Sequence, residues 1–503
     1  MPSGHSAPPR IRASKSCGNC RAIKRRCDLQ IPHCGQCIRQ REQCPGYRDQ
    51  WDLVFRDQTD HTIKRSKQKR AQRAAATGSS LPLTPSHPQH AAPPPPARGP
   101  NPGVDEIGVN YFLHHFVMSD DSPSRGFLNY IPVVYTAEAE HCTLVASMAA
   151  VGLLALANST RQPDLVGHAR VKYSEAIRNV NAALASPTES VKDSTLMSVI
   201  SLGVFEHASN FESWVRHVRG AAALIVARGK NQFARKASIF MFNQVRADLV
   251  VACLHSNQPF PDDMYKLQEA AAPFVESSRT FWLMGVVASR CANLTYAVIR
   301  NAGEIPYSDL LEQATVLQAE FQSVFAVLAV QEPYITTLEP DRDPEFFHNG
   351  RYDLYKHTYA IRVWNNSRCM QMIHCEVMCY LLQKALATDL PPAIRESLSL
   401  RLQETLKIQL KLGEDILATV PQTLGLVSLE PTPQTPLNFS SDANVSGGYL
   451  LIWCLYLVGR SPVTTSKSRK WIIRRLQAIG EVAGTKMALQ LLADIVKMDQ
   501  SAG

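Results

Sequence analysis

Residues 17–44 read CGNCRAIKRRCDLQIPHCGQCIRQREQC, and the spacing of their six cysteines decides how the N-terminal part of this chain folds. Cys17, Cys20, Cys27, Cys34, Cys37 and Cys44 are separated by two, six, six, two and six residues, so the unit C-x2-C-x6-C occurs twice within 28 residues. Each C-x2-C pair can grip one ion from a single turn of chain, and the cysteine six residues on can return to the same ion. That supplies three thiolates per half, whereas structural zinc takes four tetrahedral ligands. Two Zn2+ need eight ligand positions, and six thiolates fill them when two sulfurs bridge. By the symmetry of the repeat, the bridges fall on the first cysteine of each triad, Cys17 and Cys34. Apolar candidates for a core are few: Ile23, Leu29, Ile31 and Ile38. The segment is far below the size that folds unaided, so metal binding supplies its folding free energy.

An even number of cysteines also suits a disulfide-stapled secreted domain. The opening stretch MPSGHSAPPRIRASKS has no apolar signal-peptide core, which points to a reducing compartment and hence to metal. His33, beside Cys34, reads as a loop residue, because six cysteines already satisfy two metals.

Between the second and third cysteines lies RAIKRR, with four cations in six residues: Arg21, Lys24, Arg25 and Arg26. Lys and Arg suit guanine O6 and N7 in the major groove and the phosphate oxygens beside it. The pattern C-x2-C-R-x2-K-R-R-C-D, followed by Pro32-x-C-x2-C-x6-C, resembles the fungal zinc binuclear cluster (Zn2Cys6) family of transcription factors. The resemblance implies two zincs bridged by Cys17 and Cys34, a short helix after each C-x2-C, and recognition of CGG-type triplets in double-stranded DNA. It implies base contact by Lys24, and places Arg21, Arg25 and Arg26 at phosphate or on the cluster's surface; Lys15 joins the phosphate contacts. Where the family often carries a second basic residue before that lysine, this chain has Ile23, and the adjacent contact there can come from a backbone carbonyl. Pro32 matches the proline that turns the loop between the halves.

The net charge is +9, and its distribution matters more than its size. Residues 1–76 hold 17 Lys and Arg against 6 Asp and Glu, or +11, while the remainder holds 36 against 38, or −2. Such segregation is what a DNA-binding arm on a neutral effector domain shows. After Cys44 comes PGYRDQWDLVFRD, a stretch similar to those that follow the last cysteine in many members of the family. The basic run with Lys64, Arg65, Lys67, Lys69 and Arg70 fits nuclear import and extra phosphate contact. A dimerising coiled coil would need apolar a and d positions over several heptads; residues 49–76 offer Leu53, Val54, Phe55 and Ile63, with little between or after. Monomeric binding, or homodimerisation through the large domain, are the arrangements that this leaves.

Five segments follow. Residues 1–13 form a disordered tail, 14–48 the zinc cluster domain, 49–76 a basic post-cluster segment and 77–103 a Pro-rich disordered linker, whose composition cannot bury a core. Residues 104–503 form a large all-α regulatory domain, with apolar residues at helical spacing and few strand signals. Tyr173, Ile177, Val180 and Leu184 make one stripe over residues 168–186, ended by Pro187. Trp214, Val218, Ala221 and Ile225 make another over 213–228, with Gly229 as a C′ residue. The latter also reads W-x2-H-x2-GA-x2-L-x3-RG, from Trp214 to Gly229, and resembles a signature in the fungal-specific transcription factor regulatory domain. For that domain the resemblance implies autoinhibition, sensing of a small metabolite or coactivator contact.

Two apolar runs, 143–157 and 449–458, fall short of the ~20 residues of a membrane span and read as buried helices, with no membrane partner. Cys369, His374, Cys375 and Cys379 lie close together, but the methionines around them mark an ordinary buried helix. No P-loop, G-x-G-x-x-G, G-x-S-x-G or H-E-x-x-H occurs, so nothing points to an enzyme. The reading is therefore a nuclear, sequence-specific DNA-binding regulator of the RNA polymerase II type, acting on a metabolic or biosynthetic gene set such as a secondary-metabolite cluster. Its rivals are a nonspecific RNA or chromatin adaptor and a ligand-sensing helical protein with a DNA-targeting module.

Overall fold

The structure, a computed structural model, describes residues 16–30, 33–45, 103–117, 128–138, 141–206, 211–275, 279–301, 303–429, 445–482 and 485–501. Lys15, the basic run with Lys64, Arg65, Lys67, Lys69 and Arg70, and all of the proline-rich segment except Gly103 lie outside the described residues. The chain divides into two units, Met1–Ala97 and Arg98–Gly503.

In the first unit two short helices, α1 (Gly18–Ala22) and α2 (Gly35–Arg39), each begin on the residue after the first cysteine of a triad. The second unit opens with α3 (Val104–Phe116), α4 (Ile131–Glu138), α5 (Cys142–Ser159), α6 (Pro163–Leu184), α7 (Asp193–Glu206) and α8 (Phe211–Arg228). Next come α9 (Lys236–Ser256), α10 (Asp262–Ala271), α11 (Thr280–Arg300) and α12 (Tyr307–Gln331). After a hairpin follow α13 (Thr358–Leu386), α14 (Pro392–Leu417), α15 (Val420–Thr423), α16 (Val445–Arg460), α17 (Ser466–Val482) and α18 (Lys486–Ser501).

One core runs through these helices. α7 lies at its centre with all of its residues buried. α5, nearly devoid of polar side chains, packs against α3, α6 and α7. Its contact with α3 is backbone to backbone: a Cβ on Gly152 would lie 1.8 Å from the Gly108 carbonyl oxygen, so no larger residue fits at that crossing. α8 is amphipathic as its sequence predicts, with Trp214, Val218, Ala221 and Ile225 buried, and Gly229 after it takes φ +65°. The Arg228 guanidinium reaches Asp193, at the first turn of α7, and donates to Ser238 Oγ at 3.1 Å, tying three helices together. α6 begins at Pro163, several residues before the stripe predicted from the sequence. Val180 is buried and Tyr173 and Ile177 are half-buried, but Leu184 is exposed at the helix end.

The expectation of an all-helical domain needs one correction. Tyr334–Leu338 (β1) and Arg351–Tyr355 (β2) pair antiparallel, Tyr334 opposite Tyr355. Both strands, YITTL and RYDLY, are rich in aromatic and β-branched residues. Arg368 of α13 anchors the sheet by donating to Tyr355 Oη at 2.9 Å, its guanidinium lying 4.9 Å from the Trp364 ring.

By length and composition, α5, α9, α11 and α12 are each apolar enough to cross a membrane; here between 28% and 72% of the apolar window of each is buried inside this unit. Cys369, His374, Cys375 and Cys379 are all buried along α13. His374 Nε2 donates to the Ala314 carbonyl at 2.8 Å, and burial lowers its pKa to about 4. Burial raises the Cys379 thiol to about 11. These are packed core groups.

Candidate metal centre and nucleic-acid interface

The two halves of the cysteine module repeat one local geometry. After α1, Lys24 adopts φ +53°, and the Arg25 N–H closes back on the Cys20 carbonyl at 2.9 Å. After α2, Arg41 adopts φ +55°, and the Glu42 N–H closes on the Cys37 carbonyl at 2.9 Å. Each is a helix C-terminus ended by a left-handed C′ residue and a six-to-one bond. Lys24 is therefore not a helical residue: it stands at the turn that ends α1, and it is exposed. A left-handed lysine costs on the order of 1–3 kcal/mol and persists only where its surroundings fix it.

What fixes it is sulfur. Cys17, Cys20, Cys34 and Cys37 are fully buried, Cys44 is buried and Cys27 partly so. Of the four apolar candidates for a core, Ile23, Leu29 and Ile38 are instead exposed at 61%, 47% and 61%, and Ile31 lies outside the described residues. The core of the module consists of thiols.

These thiols form two overlapping groups. Sulfurs of Cys17, Cys20, Cys27 and Cys34 lie within 4.8 Å of one another, and so do those of Cys17, Cys37 and Cys44. Cys17 belongs to both groups, whereas Cys34 joins only the first. The Cys20–Cys34 and Cys17–Cys37 sulfur separations are 3.6 and 3.7 Å. A Zn–S bond of about 2.3 Å gives a tetrahedral edge of about 3.8 Å, so this spacing fits zinc. A disulfide would need about 2.05 Å, and all thirteen cysteines are free. Burial raises the Cys34 thiol to about 11 and pushes Cys17 up as well. At Cys27 burial acts in the same direction but is outweighed by hydrogen bonds with the backbone of Cys17 and Leu29 and the thiols of Cys34 and Cys17, leaving it at about 7. A bound dication reverses the burial effect, because a coordinating thiol is deprotonated outright.

Around the sulfurs lies a shell that the spacing alone does not reveal. Arg25 Nε donates to Cys20 Sγ at 3.2 Å and its Nη2 to Cys37 Sγ at 3.3 Å, while the same guanidinium pairs with Glu42. Arg25 thus points at the thiols and links the two halves. The Asp28 carboxylate accepts from the Gly35 N–H at 3.0 Å, at the start of α2. A Cβ on Gly35 would lie 2.5 Å from Asp28 Oδ2, and one on Gly18 would lie 2.8 Å from Pro45 Cγ. Gly18 and Gly35 occupy equivalent places in the repeat, as do Asp28 and Pro45, each the residue after a third cysteine. Reading the repeat beyond its cysteines would have found these pairs. Arg26, Arg39 and Arg41 are exposed, as Lys24 is, whereas Arg21 is described only as a backbone position in α1.

Comparison with known families agrees with this geometry. Residues 15–52 match the family model described as Fungal Zn(2)-Cys(6) binuclear cluster domain. Together the match and the thiol groups show a zinc-binding domain at residues 15–52, of a kind that indicates a fungal DNA-binding transcription factor. No curated protein and no solved structure matches the chain.

Proposed function

We propose that the chain is a sequence-specific transcription regulator of RNA polymerase II genes, binding CGG-type triplets through a cluster of two zinc ions. The observation that carries this reading is the pair of overlapping thiol groups sharing Cys17, with an exposed Lys24 held in a fixed turn beside them. Cys20 and Cys27 hold the first ion, Cys37 and Cys44 the second, and Cys34 completes the second site as the other bridge. Lys24 reads the bases. Arg21, Arg26 and Lys15 hold phosphates, while Arg25 is assigned to the thiolates that it already touches. The basic run with Lys64, Arg65, Lys67, Lys69 and Arg70 directs the protein to the nucleus and adds phosphate contact. The helical domain gates activity toward a metabolic or biosynthetic gene set, with a secondary-metabolite cluster as the narrower form.

Lys24→Ala tests the base-reading role. Its affinity for a CGG-containing duplex should fall by about 1–3 kcal/mol, while affinity for unrelated duplex falls far less. A uniform loss on all sequences makes Lys24 a phosphate contact and removes the basis of triplet reading.

A further inference from the structure

α7, α8, α9, α11, α13 and α16 converge on a cavity of about 150 Å³ in the second unit. Its walls are chiefly apolar, among them Ile200, Phe211, Trp214, Val218, Met284 and Trp453. Native interiors hold few voids larger than a water molecule, and this one lies beside α7, whose every residue is buried. The space is left open by small side chains. A Cβ added at Gly203, on the cavity wall, would meet only His217 Cβ at 3.5 Å and Trp214 Cδ1 at 3.9 Å, both ordinary contacts. The W-x2-H segment that stands out in the sequence contributes Trp214 and His217 to the same wall.

One side of the cavity is polar. Gln244 Nε2 donates to Asp248 Oδ2 at 2.7 Å, and Arg362 Nη2 donates to Gln244 Oε1 at 2.5 Å. Asn366 stands one turn beyond Arg362. Asp248 and Arg362 keep some accessible surface, yet burial raises the Asp248 carboxyl to about 6 and lowers the Arg362 pKa. Both residues line the cavity.

We infer that this cavity is a binding site for a small, neutral, largely apolar molecule of about one aromatic ring, carrying one group that both donates and accepts a hydrogen bond. The size follows from the volume, since an apolar cavity of about 150 Å³ takes benzene. The donor-and-acceptor group follows from a wall that offers a guanidinium donor and a carboxylate acceptor side by side. Neutrality follows from the same wall: Asp248 and Arg362 carry opposite charges and both bond to Gln244, so the wall presents no net charge for an ion to match.

Benzamide and toluene, alike in size and shape, are the probes, titrated calorimetrically into the full chain. Benzamide should bind one equivalent, raise the melting temperature, and bind at least about tenfold tighter than toluene. Toluene in excess should displace it. Gly203→Leu, which fills the space, should lose benzamide binding while keeping its helical circular dichroism. Absence of benzamide binding to the natural chain overturns the inference, as does equal affinity for both probes. So does benzamide that toluene cannot displace, a test that stands even where Gly203→Leu does not fold. Undiminished binding to a folded Gly203→Leu variant places benzamide elsewhere and overturns it too.

Discussion

Replacing Cys17 by alanine should, together with the same change at the other proposed bridge, Cys34, be the most damaging single cysteine change in the molecule. Cys17 is the sulfur that belongs to both thiol groups, whereas Cys44 belongs to one. A structural zinc contributes on the order of 10–16 kcal/mol of apparent binding free energy. Shared over four thiolates, that is roughly 2.5–4 kcal/mol per ligand, so Cys44→Ala costs about that and Cys17→Ala about twice as much. Among the described residues the module has no apolar core to offset either loss: Ile23, Leu29 and Ile38 are exposed, and the buried groups are sulfurs. The assay is zinc per chain, by native mass spectrometry and by chelator release after denaturation. The natural chain should carry two zincs, Cys44→Ala one and Cys17→Ala none. A Cys17→Ala protein that keeps two zincs, or that loses no more than Cys44→Ala, refutes the shared-sulfur arrangement.

Two further changes probe the surroundings of the cluster and of the large core. Gly35→Ala pushes a methyl to 2.5 Å from Asp28 Oδ2 and breaks the bond from the Gly35 N–H to Asp28. Zinc loss to a chelator should accelerate by a factor set by about 1 kcal/mol, one net hydrogen bond, and an unchanged rate counts against the Asp28–Gly35 contact. In the large unit, His374 has its pKa lowered from 6.5 to about 4 by burial. Below pH 6.5 the unfolded chain takes up a proton that the folded chain refuses, so stability is full above that pH and falls toward pH 4, by up to about 3 kcal/mol. His374→Gln should flatten the thermal-melting profile over that interval, and a profile as steep as before shows that other groups carry it.

How much of this was legible in the sequence depended on how local the cause was. The thiol groups were legible because each C-x2-C-x6-C unit carries its own ligands within eleven residues. The turn at Lys24 was not: the resemblance implies a short helix after Cys20, and the bond from the Arg25 N–H to the Cys20 carbonyl is what ends α1 before Lys24. Arg25 resembled its neighbours in sequence, and what sets it apart is reach, to a sulfur twelve residues away and to Glu42 across the repeat. In the large unit, apolar spacing located helices such as α8, since burial of one face repeats every turn. β1 and β2 escaped because five-residue strands leave little pattern, and their stability comes from Arg368 and the tyrosines brought together by folding. The cavity escaped for a stronger version of the same reason. Gly203, Asp248 and Arg362 lie far apart in the chain and meet only when their helices pack.

The most direct test of the central claim is a comparison of affinities at one fixed salt concentration, since the phosphate component of binding varies steeply with salt. The zinc-loaded full chain would be titrated with a CGG-containing duplex, a scrambled duplex of equal length, and an RNA of the same sequence. Sequence-specific reading predicts the CGG duplex bound tighter than either competitor by a factor on the order of 10³ or more, with the preference abolished by zinc chelation. Equal affinity for all three would contradict it and leave a nonspecific nucleic-acid-binding protein.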